Sequence, residues 1–455
     1  MQAPFPVLRR EPAGSRAVPV ARQLGASGAI GVIAGSLVVL DGWAAAGALL
    51  CVAVVGGLFL LGPERLGLVA WAGTAFVAPL SGVRAAGLAV SDVLLVAAVA
   101  LTLPSFATGY RRFPVPIRPE VFVGLATIAC GGVIGTFFAA RPGASLAEMT
   151  RFVAASAGSV AAVALWAPRP AQLRWFCWFW LAGAVFNASW AIVVGPVGGF
   201  RPAGLSTHPN HLGLVCMLGT ALALGLALAE RRALRPLAAA AIAPLLAAVL
   251  VSGSRAALLG LVVTVPVFAV LARRVQVAVR ALAVTAVLAV GLLAGLAQVP
   301  DQSGLGRLIG GTSAAESDVE RAEHLSRSLA RLEGHPLTGT GFESSREAHN
   351  VYLQIAVAAG PLGLLGFALV ARSVLRTRTE ARTRGPASGD RALLAGLVAG
   401  YAGYLVAGAF QNLLWDRYLW LYVSVILVLG VTLAGEERRV DGTPAGRVAA
   451  SARPV

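Results

Sequence analysis

The sequence contains no lysine; all 37 of its lysine-or-arginine positions are arginine. That usage reflects a GC-rich genome as much as any function. Charge of either sign is scarce, at 13% of residues where a soluble domain carries roughly 25%, which excludes an ordinary soluble fold. No segment alternates apolar and polar residues over about ten positions, which excludes a transmembrane barrel. The four cysteines, Cys51, Cys130, Cys177 and Cys216, all lie inside apolar runs, so their spacing offers neither a metal cluster nor a disulfide framework. Arg9, Arg10, Arg16 and Arg22 precede the first apolar run, but no A-x-A cleavage site follows it, so that run reads as a retained anchor. No inverted internal repeat of the transporter kind is visible. A net charge of +16 invites a nucleic-acid reading. It fails because the arginines sit in short loops between apolar runs, where they orient a chain in a membrane.

What the chain has in abundance is hydrophobic length: 57% of residues are hydrophobic and mean hydropathy is +0.77. Apolar runs of about 17 to 25 residues recur from Leu24 to Leu433. The expected fold is all-α, a polytopic helical membrane protein with about 12–14 transmembrane helices and one long extracytoplasmic loop containing a short helix. The runs lie near 24–40, 43–61, 66–80, 89–103, 120–140, 146–166, 174–195, 211–229, 236–251, 256–272, 278–297, 349–371, 392–414 and 418–434. With both termini in the cytoplasm, about 26 arginines fall inside and about 11 outside, as the positive-inside rule expects. This gives a cytoplasmic tail (1–23), N-terminal spans (24–194), a core (195–371) with an extracytoplasmic loop (298–348), a cytoplasmic loop (372–391), C-terminal spans (392–434) and a polar, disordered tail (435–455).

Three segments then face outward: GPVGGFRPAGLSTHPNH over 195–211, the turn SGSR over 252–255, and the long loop ending at His349 and Asn350. In that loop Ser317-Asp-Val-Glu320 has the form of a capping box opening a helix. Val319, Ala322, Leu325, Leu329 and Leu332 follow as an apolar stripe set down on the spans or the membrane interface, and Gly334 and Pro336 stop it. An ionisable group at a membrane boundary is a functional candidate, so Arg201, Arg255 and His349 stand out.

The motifs around them carry a resemblance. His349-Asn350, nine residues, then Gly360-Pro-Leu-Gly363 fits H-[N/S/Q]-x9-G-x-x-[G/T/Y], and HPLTGTGF before it fits P-L-x-G-x-G. Arg201 with Pro209-Asn210 and the segment Ser254-Arg255-Ala256 complete the set in order. Over about 195–370 the chain resembles the O-antigen ligase and Wzy-type polymerase superfamily. The resemblance implies a bacterial cytoplasmic-membrane enzyme that moves a glycan from an undecaprenyl-pyrophosphate donor to a hydroxyl on a glycan, lipid or protein acceptor. It implies a metal-independent, inverting reaction outside the membrane, with membrane lipids rather than nucleic acid as surroundings. Arg201 and Arg255 would bind pyrophosphate, His349 would act as base, and Asn210 and Asn350 would support them. The residue chemistry agrees. An arginine fork pairs two phosphate oxygens and keeps its proton, and histidine takes a proton near neutral pH. No cofactor and no metal are called for. The other readings are a Wzy-type repeat-unit polymerase, a transporter or flippase of a lipid-linked anion, and a structural partner of a wall-building complex.

Plainer readings stand beside these. Arg201 could meet lipid headgroups, His349 could cap a helix, and Arg255 is costly unless paired. His208 and His211 form H-x-x-H, which without a third ligand is poor zinc evidence. Asp318-x-Glu320 resembles a metal-binding D-x-D but reads better as a helix cap. His324 and His335 read as loop residues. Arg321, Arg327, Arg331 and Arg346 balance neighbouring glutamates more readily than they form a ligand strip. Trp175, Trp178, Trp180, Trp415 and Trp420 read as interfacial belts. Asn187, Gln354, Gln411 and Asn412 read as interhelical hydrogen bonders, with Gln354 also placed to line an acceptor path.

Overall fold

The computed structural model describes residues 65–85, 88–103, 114–196, 201–273, 276, 312–382, 389–412 and 414–441. The expected spans at 24–40, 43–61 and 278–297 lie outside them. The other eleven expected runs are all helical. We number the helices α1 (Arg65–Val77), α2 (Val90–Thr102), α3 (Pro119–Thr136), α4 (Pro142–Trp166), α5 (Pro170–Val194), α6 (Pro209–Ala229), α7 (Arg235–Val251), α8 (Arg255–Ala272), α9 (Thr312–Gly334), α10 (Val351–Arg382), α11 (Gly389–Gly408) and α12 (Arg417–Asp441). Eight of these, α3–α6, α8 and α10–α12, are long and apolar enough to cross a bilayer; α1, α2 and α7 are shorter apolar helices. The protein is a polytopic helical membrane protein. Between α1 and α2, Arg84–Ala85 and Leu88–Ala89 form a two-residue antiparallel pairing.

Proline sets several boundaries. α3, α4, α5 and α6 each begin on a proline. The first N–H of a helix has no partner within it, so a residue lacking that N–H costs nothing there. α6 is central, buried almost continuously from Leu212 to Leu226, and packs against α5, α7, α8 and α11. α10 runs along α3 at the closest approach helices can make: a Cβ on Gly124 would stand 2.6 Å from the Gly366 carbonyl, and one on Gly131 2.5 Å from that of Ala359.

The described parts of the turns expected on the outer face gather at one end of this bundle. There the Phe342 N–H donates to Ser145 Oγ at 3.0 Å, the Trp415 indole to the Glu148 carbonyl at 3.0 Å, and Arg417 pairs with Asp92 at 2.7 Å. At the opposite end the Trp178 indole donates to Glu230 at 3.0 Å and Arg174 pairs with Asp390 at 2.8 Å.

Several expectations change. The loop helix α9 is not short, and it opens at Thr312, so Ser317 and Glu320 lie within it rather than boxing its start. Its apolar stripe is not set down on the spans: Val319, Ala322, Leu325 and Leu329 are exposed, and only Leu332 reaches a buried cluster, with Ala348, Leu353 and Val357. The run at 349–371 is not one straight helix. Gly360 has φ +59° and ψ −155°, which breaks α10 into 351–359 and 361–382 and folds the first piece back until the Tyr352 and Phe367 rings meet at 5.8 Å. Only glycine adopts that conformation readily, and Pro361 supplies no N–H to rejoin the ladder. Two belt tryptophans are core instead: Trp180 and Trp420 are buried, edge-on to Tyr422 and Phe152. Helix α12 continues to Asp441, into the expected tail.

Candidate active site

Arg201 reaches across two elements. Its Nε donates to the Ser252 carbonyl at 2.8 Å and its Nη2 to Asn210 Oδ1 at 2.7 Å. Ser252 belongs to the α7–α8 turn, three residues before Arg255, so the two arginines share one scaffold. That turn is rigid: Ser252 and Ser254 are buried, and Ser254 Oγ caps α8 by accepting from the Ala257 N–H at 3.3 Å. Asn210, in the first turn of α6, extends the link by donating to Gln411 Oε1 at 3.1 Å. Gln411 lies in the α11–α12 turn, where Gln354 of α10 also donates to Asn412. The polar residues read as interhelical bonders therefore tie four helix ends together. Asn187 does the same for a loop, donating to the Pro79 carbonyl and Ser206 Oγ, each at 2.9 Å.

Arg255 is half-exposed and pairs with Asp318 of α9. Asp318 Oδ1 also meets Arg321 Nη1 at 3.5 Å. Two turns along α9 from Asp318, the His324 ring lies 5.2 Å from the His349 ring, and His324 Nε2 stands 3.7 Å from Glu320. The helix thus spans the gap between the second arginine and the candidate base. Arg201 and Asn210 come together directly; Arg201 joins Arg255 through the turn, and Arg255 joins His349 through α9.

His349 has φ +43°, left-handed backbone that costs most residues about 1–2 kcal/mol but suits histidine and asparagine better than most. Asn350 holds it there. Its Oδ1 accepts from the N–H groups of Tyr352 at 2.9 Å and Leu353 at 3.1 Å, so it caps α10 and fixes the backbone behind the imidazole. Burial, then the neighbouring His324 and Arg321 charges, push His349 below the usual histidine range, against the opposing pull of Glu320. Burial and then the Arg255 charge pull Arg321 down from the usual arginine range.

The remaining histidines have other work. His208 caps α6, its Nδ1 accepting from the Asn210 N–H at 3.1 Å, while His211 pairs with Asp416 at 3.2 Å. Among the described residues no three His, Cys, Asp or Glu side chains converge as a metal site.

The O-antigen ligase family profile matches residues 238–368. That part of the chain is similar to the O-antigen ligase family. That stretch includes Arg255, the α9 loop, His349 and Gly360-Pro-Leu-Gly363; Arg201 and Asn210 lie ahead of it, Arg201 joining it through Ser252 and Asn210 through Arg201. No curated protein matches the chain.

Asp318, Arg321 and His324 were missed as members of the site. The signal was a second stripe on α9. Ser317, Arg321, His324, Ser328 and Arg331 recur at steps of three and four, and they form the partly or fully buried face. The apolar stripe is the stronger signal in the sequence, because apolar faces ordinarily turn inward. Here the polar face turns inward, towards other polar groups.

Proposed function

We propose that the protein is a membrane glycosyltransferase that moves a glycan from undecaprenyl pyrophosphate to an acceptor hydroxyl on the outer face of the cytoplasmic membrane. The observation that carries the reading is the bond from Arg201 to the turn bearing Arg255, which places two permanent cations beside the loop that ends at His349. The acceptor oxygen attacks the anomeric carbon as the bond to the pyrophosphate oxygen breaks, and the configuration inverts. His349 takes the hydroxyl proton, and Arg201 and Arg255 hold the charge that develops on the departing pyrophosphate. Asn210 aims the Arg201 fork and Asn350 fixes the backbone of His349. A transporter would place its break near the bilayer midplane. The break at Gly360 instead packs against Leu337 and Thr338 at the site end.

The deciding experiment supplies an undecaprenyl-pyrophosphate glycan and an envelope acceptor extract to protein in liposomes. Glycan should leave the carrier with the wild type and not with His349→Ala. Product size then separates transfer of a finished chain from repeat-unit polymerisation. Absence of release with folded, donor-binding protein would favour transport. Because arginines neutralise the leaving group, transfer should persist in EDTA; loss restored by a divalent ion would replace that account with a metal-dependent one.

The environment of His349 fixes a pH response. A base must be unprotonated, so a lowered pKa lets activity persist to lower pH than an ordinary histidine would allow. Replacing His324 with glutamine removes one of the influences that lower it, and the acid limb of the kcat profile should move to higher pH. An unmoved limb, or one moved downward, would remove His324 from the electrostatics of the base.

A further inference from the structure

Arg255 and Arg321 come from different elements, a turn between spans and the loop helix, yet both meet the same oxygen of one carboxylate, Asp318 Oδ1. The three groups in contact carry two positive charges and one negative, with Glu320 acting on Arg321 from farther off; burial and then the Arg255 charge pull Arg321 down. Two cations held close by one anion favour a ligand with more charge than that anion, and a phosphate supplies it with more oxygens to accept from. Asp318 is itself only half-buried, and the pair is reachable from outside the bundle.

We propose that Asp318 occupies the place of a donor phosphate between Arg255 and Arg321, so that Arg321 is a third phosphate-binding residue and the arriving pyrophosphate displaces Asp318 from both. This rests on the reading of Arg201 and Arg255 as a pyrophosphate clamp. The displacement has a mechanical side. Asp318 ties α9 to the α7–α8 turn, and the same helix carries His324 against His349. Exchange of carboxylate for phosphate releases this link of α9 to the turn, while Arg331, bonded to the Ser344 carbonyl at 2.7 Å, and Leu332, packed on Ala348 and Val357, still hold its far end. Donor binding and the setting of the base are thereby joined through one helix.

The test is inorganic pyrophosphate binding by calorimetry to the full chain in detergent. Asp318→Asn removes the competitor, and affinity should rise about two- to fivefold, the range of an exposed ion pair. Asp318→Glu keeps a carboxylate and should stay nearer wild type than Asp318→Asn does. Arg321→Gln should weaken binding about tenfold or more, as loss of a charge-assisted bond does. Glu323→Gln, which removes the same charge from the Arg327 pair on the same helix, should change little. Equal gains from Asp318→Asn and Glu323→Gln would reduce the effect to net charge and overturn the proposal. So would unchanged binding in both Asp318→Asn and Arg321→Gln while Arg201→Gln and Arg255→Gln lose it; the clamp would then stand without Asp318. If the wild type binds no pyrophosphate, the clamp itself falls, and this proposal with it.

Discussion

His349→Ala should lower transfer by about a hundredfold to ten-thousandfold, the contribution of a positioned general base, while pyrophosphate binding stays close to wild type. Alanine confounds two losses, because the left-handed backbone at φ +43° tolerates it less well than histidine. His349→Asn separates them. Asparagine accepts that backbone and presents no titratable nitrogen, so it should lose as much activity and less stability. Loss of pyrophosphate binding in the asparagine variant would reassign the residue to the clamp. Recovery of activity there would leave it only a backbone role.

Arg255→Lys should cost about a hundredfold to a thousandfold in kcat, the cost of losing one preorganised donor to a developing oxyanion. Lysine keeps the charge and can still meet Asp318, but a point charge does not reproduce a planar fork across two phosphate oxygens. Stability should hardly change, because a half-exposed ion pair is worth at most about 1 kcal/mol. A small loss of melting temperature with a large loss of turnover therefore marks a functional arginine. Full activity in the lysine variant would remove Arg255 from the clamp.

The sequence was most informative where it spoke in long runs. Each expected span among the described residues is helical, because a bilayer demands the same apolar length whatever surrounds it. The gathering of 201–211, 252–255 and 335–350 at one bundle end agrees with loop-by-loop arginine asymmetry. In the sequence Arg255 reads as needing a partner and Asp318 as part of a helix cap; the two lie 63 residues apart, and local patterns describe only neighbours. Trp180 and Trp420 misled for a related reason. Amphipathic rings suit an interface, yet packing against Tyr422 and Phe152 buries them. The bend at Gly360 was written in a Gly-Pro pair that lay inside an otherwise continuous apolar run.

The bonds at the α11–α12 turn bear on how the protein is made. Asn210, which aims Arg201, is held by Gln411, about two hundred residues later, and His211 waits for Asp416. A ribosome feeding this chain into a membrane delivers the arginine-bearing turns long before the residues that hold them. The earlier helices therefore wait half-assembled until the α11–α12 hairpin inserts and supplies Gln411 and Asp416. Premature termination before residue 411 would remove α12, whose Tyr418–Leu429 stretch is core, and leave Asn210 without Gln411, so such a chain should be both unstable and inactive.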